Sequence, residues 1–198
     1  MARPRSFDAE AFLDRSLDVF WRRGFAATSM SDIYEATGLG ASSIYAFVKD
    51  KNDLFRRVFQ RYTDGFRDTI PTDVKGAAAI DLWMRGFASA LADDPDRKGC
   101  LICNTIMERF AHTRETLDLA QKLVDEVRGW FVLQVQYGQE AGDYARDADP
   151  AAAANALVAM VLGLMAMARS QASRETLLQV AGSAANALFT RGRDKPVP

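Results

Sequence analysis

The sequence is poor in the side chains that cross-link small secreted domains or bind metals: its 198 residues include two cysteines and one histidine. Cys100 and Cys103 are too few for a disulfide framework, which favours a reducing compartment. A zinc site needs four ligands, and His112 is the single histidine that could join the two thiols. We therefore expect no metal ion and no cofactor.

Signals for catalysis and for export are also lacking. The chain has no glycine-rich phosphate-binding loop and no nucleophile at the end of a strand, and its scattered carboxylates are explained as helix caps or solvated side chains. We therefore expect no enzymatic activity. Residues 1–10 are charged and have no apolar core of the kind a signal peptide needs, so the expected location is the cytoplasm.

One apolar run, residues 151–168, carries no charge and is long enough to span a bilayer. It is dominated by alanine, contains Asn155 and Gly163, and is not flanked by the Trp or Tyr residues typical of a membrane boundary. A helix that is apolar on all sides is also what a subunit interface buries. We therefore expect no membrane partner.

Hydrophobic periodicity is helical along the chain, and no segment shows the strand–turn–strand pattern of a hairpin. The expected fold class is therefore all-α. Helices are predicted at about residues 8–23, 29–37, 41–47 and 51–70, followed by longer ones at about 74–92, 100–111, 114–139, 150–170 and 173–191. The net charge is -1, so a nucleic-acid surface must be a local patch rather than a property of the whole chain.

Residues 29–47 have the pattern of a helix-turn-helix motif. Ser29 and Asp32 form a capping-box pair at the start of a short helix, and the turn 38–40 carries an apolar residue between two glycines. A second short helix then begins at Ala41. A helix that enters the DNA major groove must be short and must expose small side chains near its N-terminus, so this second helix is the candidate recognition helix.

The recognition helix should present one face to DNA and bury the other. Ile44 and Val48, four positions apart, are expected to pack against the preceding helices. Tyr45 then points outward, where its hydroxyl can reach a phosphate. The small side chains that could face the groove are those of Ala41, Ser42 and Ser43.

Groups suited to phosphate lie on either side of this helix. Lys51 is expected in the first turn of the next helix, where its charge and the free amides attract an anion. Thr28 and Ser29 offer hydroxyls and amides at the start of the preceding helix. Arg3 and Arg5 form a short arm that could follow the DNA backbone or enter the minor groove.

These segments occur in a distinctive order: Phe25-Ala26-Ala27-Thr28-Ser29-Met30-Ser31-Asp32-Ile33, then Thr37-Gly38-Leu39, then Ser43-Ile44-Tyr45, then Lys51 before Leu54. The order and spacing resemble the N-terminal signature of the TetR/AcrR family of transcriptional regulators. Further along, residues 99–104 and 149–169 are similar to ligand-domain elements of one subgroup. The sequence departs from the family pattern at Ala41, where Lys or Arg is common, and at Phe47, which stands where Tyr or His is usual.

The resemblance implies a three-helix helix-turn-helix domain, residues 1–54, followed by a helical-bundle domain for effector binding and dimerisation, residues 55–198. It also implies a repressor that binds a palindromic operator as a homodimer, with its recognition helices about 34–36 Å apart. The expected DNA-binding residues are Arg3, Arg5, Thr28, Ser29, Ala41, Ser42, Ser43, Tyr45, Phe47 and Lys51. The expected dimer residues, for which packing within one subunit is the alternative, are Ala152, Ala156, Ala159, Leu162, Gly163, Leu177, Val180, Ala184 and Leu188.

A small lipophilic or aromatic effector is expected to release the operator, because bulky apolar residues with few polar ones form adaptable pockets. The candidate effector-binding residues are Trp83, Phe87, Asn104, Met107, Glu108, Phe110, Trp130, Phe131, Gln134, Tyr137 and Met160. Ordinary core packing is the alternative role for each of them. Two other functions remain open from the sequence: a regulator that senses oxidation through Cys100 and Cys103, and a helical ligand-binding protein without DNA activity.

Overall fold

The computed structural model describes residues 8–187, and within that range all regular elements are helical. The α-helices are α1 (Ala9–Arg23), α2 (Met30–Thr37), α3 (Ala41–Tyr45), α4 (Lys51–Arg67), α5 (Gly76–Asp93), α6 (Leu101–Met107), α7 (Arg114–Ala141), α8 (Pro150–Arg169) and α9 (Arg174–Ala187). A 3-10 turn, Arg109–Ala111, follows α6. The expected all-α class is confirmed, and the predicted helix 100–111 is divided into α6 and this turn.

Local sequence signals explain where the first helices begin and end. Asp8 caps α1 by accepting a hydrogen bond from the N–H of Ala11 at 3.1 Å, and Gly24 ends the helix with a φ of +81°. Ser29 and Asp32 form the predicted capping box, in which the Ser29 hydroxyl accepts the Asp32 N–H and the Asp32 carboxylate accepts the Ser29 N–H. The start of α2 is therefore fixed by residues three positions apart.

The core of the helix-turn-helix region is aromatic. The Phe55 ring of α4 lies 5.1 Å from Phe20 of α1 and 5.1 Å from Phe25 of the α1–α2 loop, measured between ring centroids. It also stacks on Phe59 at 5.8 Å, and all of these rings are buried. Aromatic pairs in such geometries are stabilised beyond the burial of their area. The cluster therefore holds α4 against α1 and against the loop before α2.

The described chain divides into two compact units, and the division differs from the predicted boundary between residues 54 and 55. The first unit contains residues 8–66 together with Cys100–Ala120. The second unit contains Arg67–Gly99 and residues 121–187. The helix α6, the 3-10 turn and the beginning of α7 therefore group with the helix-turn-helix region, although a long part of the second unit separates them from it in sequence.

In the second unit, α5 packs against α8 and α9, and α8 also packs against α9. Gln134 of α7 fixes the start of α5, because its side-chain carbonyl accepts the Gly76 N–H at 2.9 Å. The buried residues of α8 recur at helical spacing: Ala154, Leu157, Val161, Leu164, Met165 and Ala168. One face of α8 therefore belongs to the core of this unit.

In the described part of the chain, α8 is the one helix that is long and apolar enough to span a membrane by length and composition. Its apolar window is 33% buried, through its packing on α5 and α9. Small and apolar residues on the rest of its surface are exposed: Ala151, Ala152, Ala159, Leu162, Gly163 and Ala166. This surface has the composition that a helix in contact with a second subunit would need.

Replacement of Phe55 by alanine should destabilise the first unit strongly. The substitution removes a ring that contacts Phe20, Phe25, Phe59 and His112, and cavities of this kind lower the free energy of unfolding by about 3–5 kcal/mol. Chemical denaturation followed by circular dichroism measures the change. The control is Tyr45→Ala in the same unit, which should change the free energy by less than about 1 kcal/mol because Tyr45 is 50% exposed. Equal losses in the two variants would contradict the assignment of Phe55 to the core.

Candidate nucleic-acid interface

The candidate recognition helix α3 has the two faces that its sequence predicts. Ile44 and Val48 are buried, with 0% and 2% of their surface exposed. Tyr45 is 50% exposed, and exposed residues precede it: Ala41, Ser42 and Ser43. The face that would meet a DNA duplex is therefore open to solvent, as predicted. The predicted arm of Arg3 and Arg5 lies outside the described residues.

The turn before α3 is held by its own backbone and by α1. Gly38 adopts a φ of +69°, in the left-handed region, and its N–H donates to the Tyr34 carbonyl at 2.9 Å. Arg15 of α1 donates to the Thr37 carbonyl at 3.1 Å. Gly40 occupies the N-cap position of α3 and has no side chain with which to cap it. The recognition helix is therefore positioned by the turn and by α1, while its N-terminus carries no cap.

Tyr45 has a partner that the sequence patterns did not reveal. The hydroxyls of Tyr34 in α2 and Tyr45 in α3 lie close enough to interact, and this interaction raises the pKa of Tyr34. This interaction connects Tyr45, a candidate phosphate contact, to the supporting helix α2. Two tyrosines in different helices give no local signal, because their contact depends on how the helices cross.

The sequence predicts phosphate contacts from Thr28 and Ser29, but the structure uses both hydroxyls within the chain. Thr28 is 1% exposed, and its hydroxyl donates to the Gly24 carbonyl at 2.7 Å. The Ser29 hydroxyl donates to the Asp32 carboxylate at 2.6 Å. The hydrogen bonds from Ser29 lower the pKa of Asp32, so a negative charge stands at the start of α2. This prediction is therefore corrected for both side chains.

Phe47 is likewise used in packing rather than presented to solvent. Its half-buried ring packs edge-on against Phe12 at 5.8 Å, and the Arg57 guanidinium lies 4.8 Å from its centroid. The Arg57 side chain is 41% exposed and forms an ion pair with Asp53 at 3.3 Å. Arg57 is thus a cation beside the end of α3 that the sequence patterns missed, because only the folded chain places it on the Phe47 ring.

Lys51 is the first residue of α4, as predicted, and its ammonium group is partly withdrawn from solvent. The Nζ atom lies 4.2 Å from the centroid of the Phe25 ring, within range of cation–π attraction. Burial lowers the pKa of Lys51, while the negative charges of Glu108 and Asp32 act in the opposite direction. The cation expected to bind phosphate is therefore held near two carboxylates of its own chain.

Part of the predicted effector set lies in the first unit: Asn104, Met107, Glu108 and Phe110. Met107 and Phe110 are 78% and 96% exposed, so in the described chain their side chains enclose no cavity. The 3-10 turn after Met107 interrupts the predicted helix and directs Phe110 to solvent. The Glu108 carboxylate accepts the Phe25 N–H at 2.9 Å, so it is engaged by the α1–α2 loop rather than free to anchor an effector.

The rest of the predicted effector set lies in the second unit, where Trp83 of α5 is the centre of an aromatic cluster. Its ring lies 5.3 Å from Phe87, 5.8 Å from Trp130 and 5.5 Å from Phe131, and Trp83 and Phe131 are buried. Gln134 is also buried and is committed to the start of α5. The half-buried members of the set are Phe87, Trp130, Tyr137 and Met160. An open groove of about 740 Å³ in this unit is lined by other residues of α5 and α9.

The residues predicted for the dimer interface fall into two groups. Those of α8 are accessible, since Ala156 is half-buried and the others are exposed: Ala152, Ala159, Leu162 and Gly163. In α9, Leu177 and Ala184 are 0% exposed because α9 packs against α5 and α8, so their prediction as intersubunit contacts is wrong. Val180 is half-buried, and Leu188 lies outside the described residues.

Cys100 and Cys103 are free thiols in the first unit. Cys100 is buried at the N-cap of α6. Burial opposes its ionisation, but hydrogen bonds with Cys103, Tyr62 and the backbone outweigh burial and lower the pKa of Cys100 to about 7. The hydrogen bond with Cys100, together with burial, raises the pKa of Cys103. Within residues 8–187, no cluster of three or more His, Cys, Asp and Glu side chains could hold a metal ion.

An exposed recognition helix, supported by a second helix across a glycine turn, defines a helix-turn-helix DNA-binding protein. Comparison with known proteins identifies the family. The model of "Bacterial regulatory proteins, tetR family" matches residues 12–58, and that of "Tetracyclin repressor-like, C-terminal domain" matches residues 76–183. The chain belongs to the TetR family of transcriptional regulators, whose members are DNA-binding proteins rather than enzymes.

Individual relatives agree with this assignment. The chain is 29% identical over 189 residues to the HTH-type transcriptional repressor ComR of Escherichia coli (strain K12), covering 91% of this chain and 89% of ComR. It is 28% identical, with a TM-score of 0.77, to a cysteine mutant of the TetR family regulator CifR complexed with 26bp double-strand operator DNA, covering 93% and 99% of the two chains. The regulatory protein TetR from Rhodobacter sphaeroides, at 18% identity and a TM-score of 0.83, shares the fold over 93% of this chain and 100% of its own.

The environment of His112 generates a pH-dependent prediction for the first unit. Its side chain is 1% exposed, and its ring lies 4.6 Å from Phe25 and 4.7 Å from Phe55. Its Nε2 atom has no hydrogen-bond partner among the described residues. Burial lowers the pKa of His112. The Glu108 carboxylate, 3.9 Å away, opposes this effect, and the charge of Lys51 adds to it.

We expect the ring signal of His112 to titrate below its ordinary pKa of 6.5 when followed by NMR, where a single histidine gives an unambiguous assignment. Because the unfolded chain then binds this proton more tightly, the free energy of unfolding should fall as pH decreases from 6.5 towards the folded pKa. This group contributes no pH dependence well above 6.5. The control is His112→Phe, which should remove this part of the pH dependence. A midpoint at or above 6.5 would show that the imidazole is not buried as described.

Proposed function

We propose that the protein is a repressor that binds a palindromic operator as a homodimer and is released by a small lipophilic or aromatic effector. Its place of action would be the cytoplasm, where DNA is accessible to it. The exposed face of α3 carries the DNA-binding part of the proposal: Ser43 and Tyr45 are open to solvent, while Ile44 anchors the helix. Repression is supported by ComR, which is a repressor, and by CifR, which is solved on its operator.

The dimer is supported by α8. A single recognition helix contacts too little DNA for selective binding, so a palindromic operator requires a second copy. Apart from Asn155 and the C-terminal Arg169, the surface of α8 that its own chain leaves exposed consists of small and apolar side chains, with Leu162 38% exposed. Such a surface allows close approach of an identical helix across a two-fold axis. From α9, the half-buried Val180 stays in the proposed interface.

The effector site is proposed around Trp83 in the second unit. Aromatic and methionine side chains form adaptable, largely apolar binding surfaces, and Phe87, Trp130, Tyr137 and Met160 are only half-buried. The effector must bind more tightly to the conformation that does not fit the operator than to the conformation that does. A coupling free energy of about 1–3 kcal/mol is typical of such regulation.

The two other functions considered from the sequence are not favoured. A helical ligand-binding protein without DNA activity disagrees with membership of a family of DNA-binding regulators. Sensing of oxidation through the two cysteines would require an accessible reactive thiol. Cys100, whose pKa is the lower of the two, is 4% exposed.

Operator binding should depend on Lys51. The purified protein would first select fragments of its source genome, and fluorescence anisotropy would then measure affinity over a range of salt concentrations. Each lost phosphate contact flattens the slope of log K against log salt by about 0.9, so Lys51→Ala should flatten it by roughly 2 in a dimer. Binding should weaken to a similar degree for every DNA sequence.

The control is Lys122→Ala, an equal charge change at an exposed position of α7, which should leave the slope unchanged. An unaltered slope in Lys51→Ala would show that Lys51 does not contact phosphate. If the protein selected no DNA fragment at all, DNA binding itself would be refuted.

Dimerisation should depend on Ala159. Ala159→Asp places a charge on the exposed surface of α8, and an unpaired charge buried in an interface costs several kcal/mol, so the dimer dissociation constant should rise at least about a hundredfold. Sedimentation velocity measures the change. Ala90→Asp, which introduces the same charge at an exposed alanine of α5, is the matched control and should leave the dimer intact. A dimer that survives Ala159→Asp would place the interface elsewhere.

A further inference from the structure

Glu108 directly follows α6 and belongs to the same unit as the helix-turn-helix motif. One oxygen of its carboxylate, Oε2, accepts the N–H of Phe25 at 2.9 Å and the N–H of Ala26 at 3.4 Å. Both N–H groups belong to the α1–α2 loop, residues 24–28. A side chain from a distant part of the sequence therefore fixes the backbone that leads directly into α2.

The α1–α2 loop is shaped to admit this carboxylate. Gly24 has a φ of +81°, a conformation that side-chain-bearing residues rarely adopt. A Cβ atom at this position would also overlap with Oε1 of Glu108. The turn therefore favours glycine here, and a Cβ atom would displace the carboxylate from its present position against the loop.

The charge of Glu108 acts on the groups around Phe25 as well. The Phe25 ring contacts the His112 ring at 4.6 Å and the Lys51 ammonium group at 4.2 Å. Oε2 of Glu108 lies 3.9 Å from Nε2 of His112. The negative charge of Glu108 also attracts Lys51, as does that of Asp32. One carboxylate therefore combines a structural contact with an electrostatic one at the edge of the candidate DNA interface.

We propose that Glu108 is a positioning residue for DNA binding, an inference that rests on the proposed function. Its Oε2 atom holds the α1–α2 loop through two backbone N–H groups, and its charge reduces the attraction of Lys51 for a phosphate. The first effect favours DNA binding because the loop sets the start of α2, and the second opposes it. A glutamine separates the two effects, because it retains an oxygen acceptor and loses the charge.

The test compares Glu108→Gln with Glu108→Ala in the anisotropy assay on the selected DNA. Glu108→Gln should bind about threefold more tightly than the natural protein at low salt, because Lys51 loses a nearby negative charge. Glu108→Ala should bind about tenfold more weakly than Glu108→Gln, although both lose the same charge, because only alanine releases the loop. The matched controls are Glu115→Gln and Glu115→Ala, which alter an exposed carboxylate of the same unit and should have equal affinities. Equal affinities of the two Glu108 variants would overturn the proposal.

A second measurement does not require DNA. Backbone amide hydrogen exchange at Phe25 and Ala26 should be at least about tenfold faster in Glu108→Ala than in Glu108→Gln or the natural protein. If the natural protein binds no DNA, the proposed function fails while this measurement still tests the loop contact. If DNA is bound but exchange is equal in all three proteins, the positioning role fails. If Glu108→Ala does not fold, the tighter binding expected of Glu108→Gln relative to Glu115→Gln remains the decisive comparison.

Discussion

The first unit depends on the packing of the Phe55 ring, which joins three segments of the chain. α1 contributes Phe20, the loop before α2 contributes Phe25, and the segment after the 3-10 turn contributes His112. The recognition helix α3 has five residues and could not be stable in isolation. It persists because Ile44 is fully buried against the rest of this unit. α3 can therefore leave its candidate DNA-facing side open to solvent because the burial of its other side stabilises it.

The features that were predictable from sequence depend on residues within one or two helical turns. Ser29 and Asp32 form the capping box, and within α3 Ile44 is buried while Tyr45 is exposed. Each outcome needs only two or three residue types at a fixed spacing, because the hydrogen bond or burial that stabilises it is local. The all-α class and most helix boundaries follow for the same reason.

Predictions failed where a contact depends on a distant segment or on a change of helical geometry. The predicted helix 100–111 would have continued through Glu108 and Phe110, but the backbone leaves α-helical geometry at Glu108, with a φ of -88° and a ψ of 23°. The apolar stripe that contains Leu177 indicates that this face of α9 is covered, and it does not indicate whether the same chain or a second copy covers it. Thr28 is a further case, because a hydroxyl that can donate a hydrogen bond to a phosphate can equally donate to a backbone carbonyl of its own loop, here that of Gly24.

Three of the basic residues near the helix-turn-helix motif lie beside carboxylates of the same chain. The pairs are Arg23 with Asp32, Arg57 with Asp53, and Lys51 with Glu108. A phosphate must therefore compete with a carboxylate for each of these three cations, in a chain whose net charge is -1. Weaker attraction at these positions would leave a larger share of the binding free energy to the α3 side chains that we propose meet base edges. An effector coupling of about 1–3 kcal/mol, typical of a regulator of the proposed kind, would change operator affinity by roughly 5–150-fold whichever contacts supply that affinity.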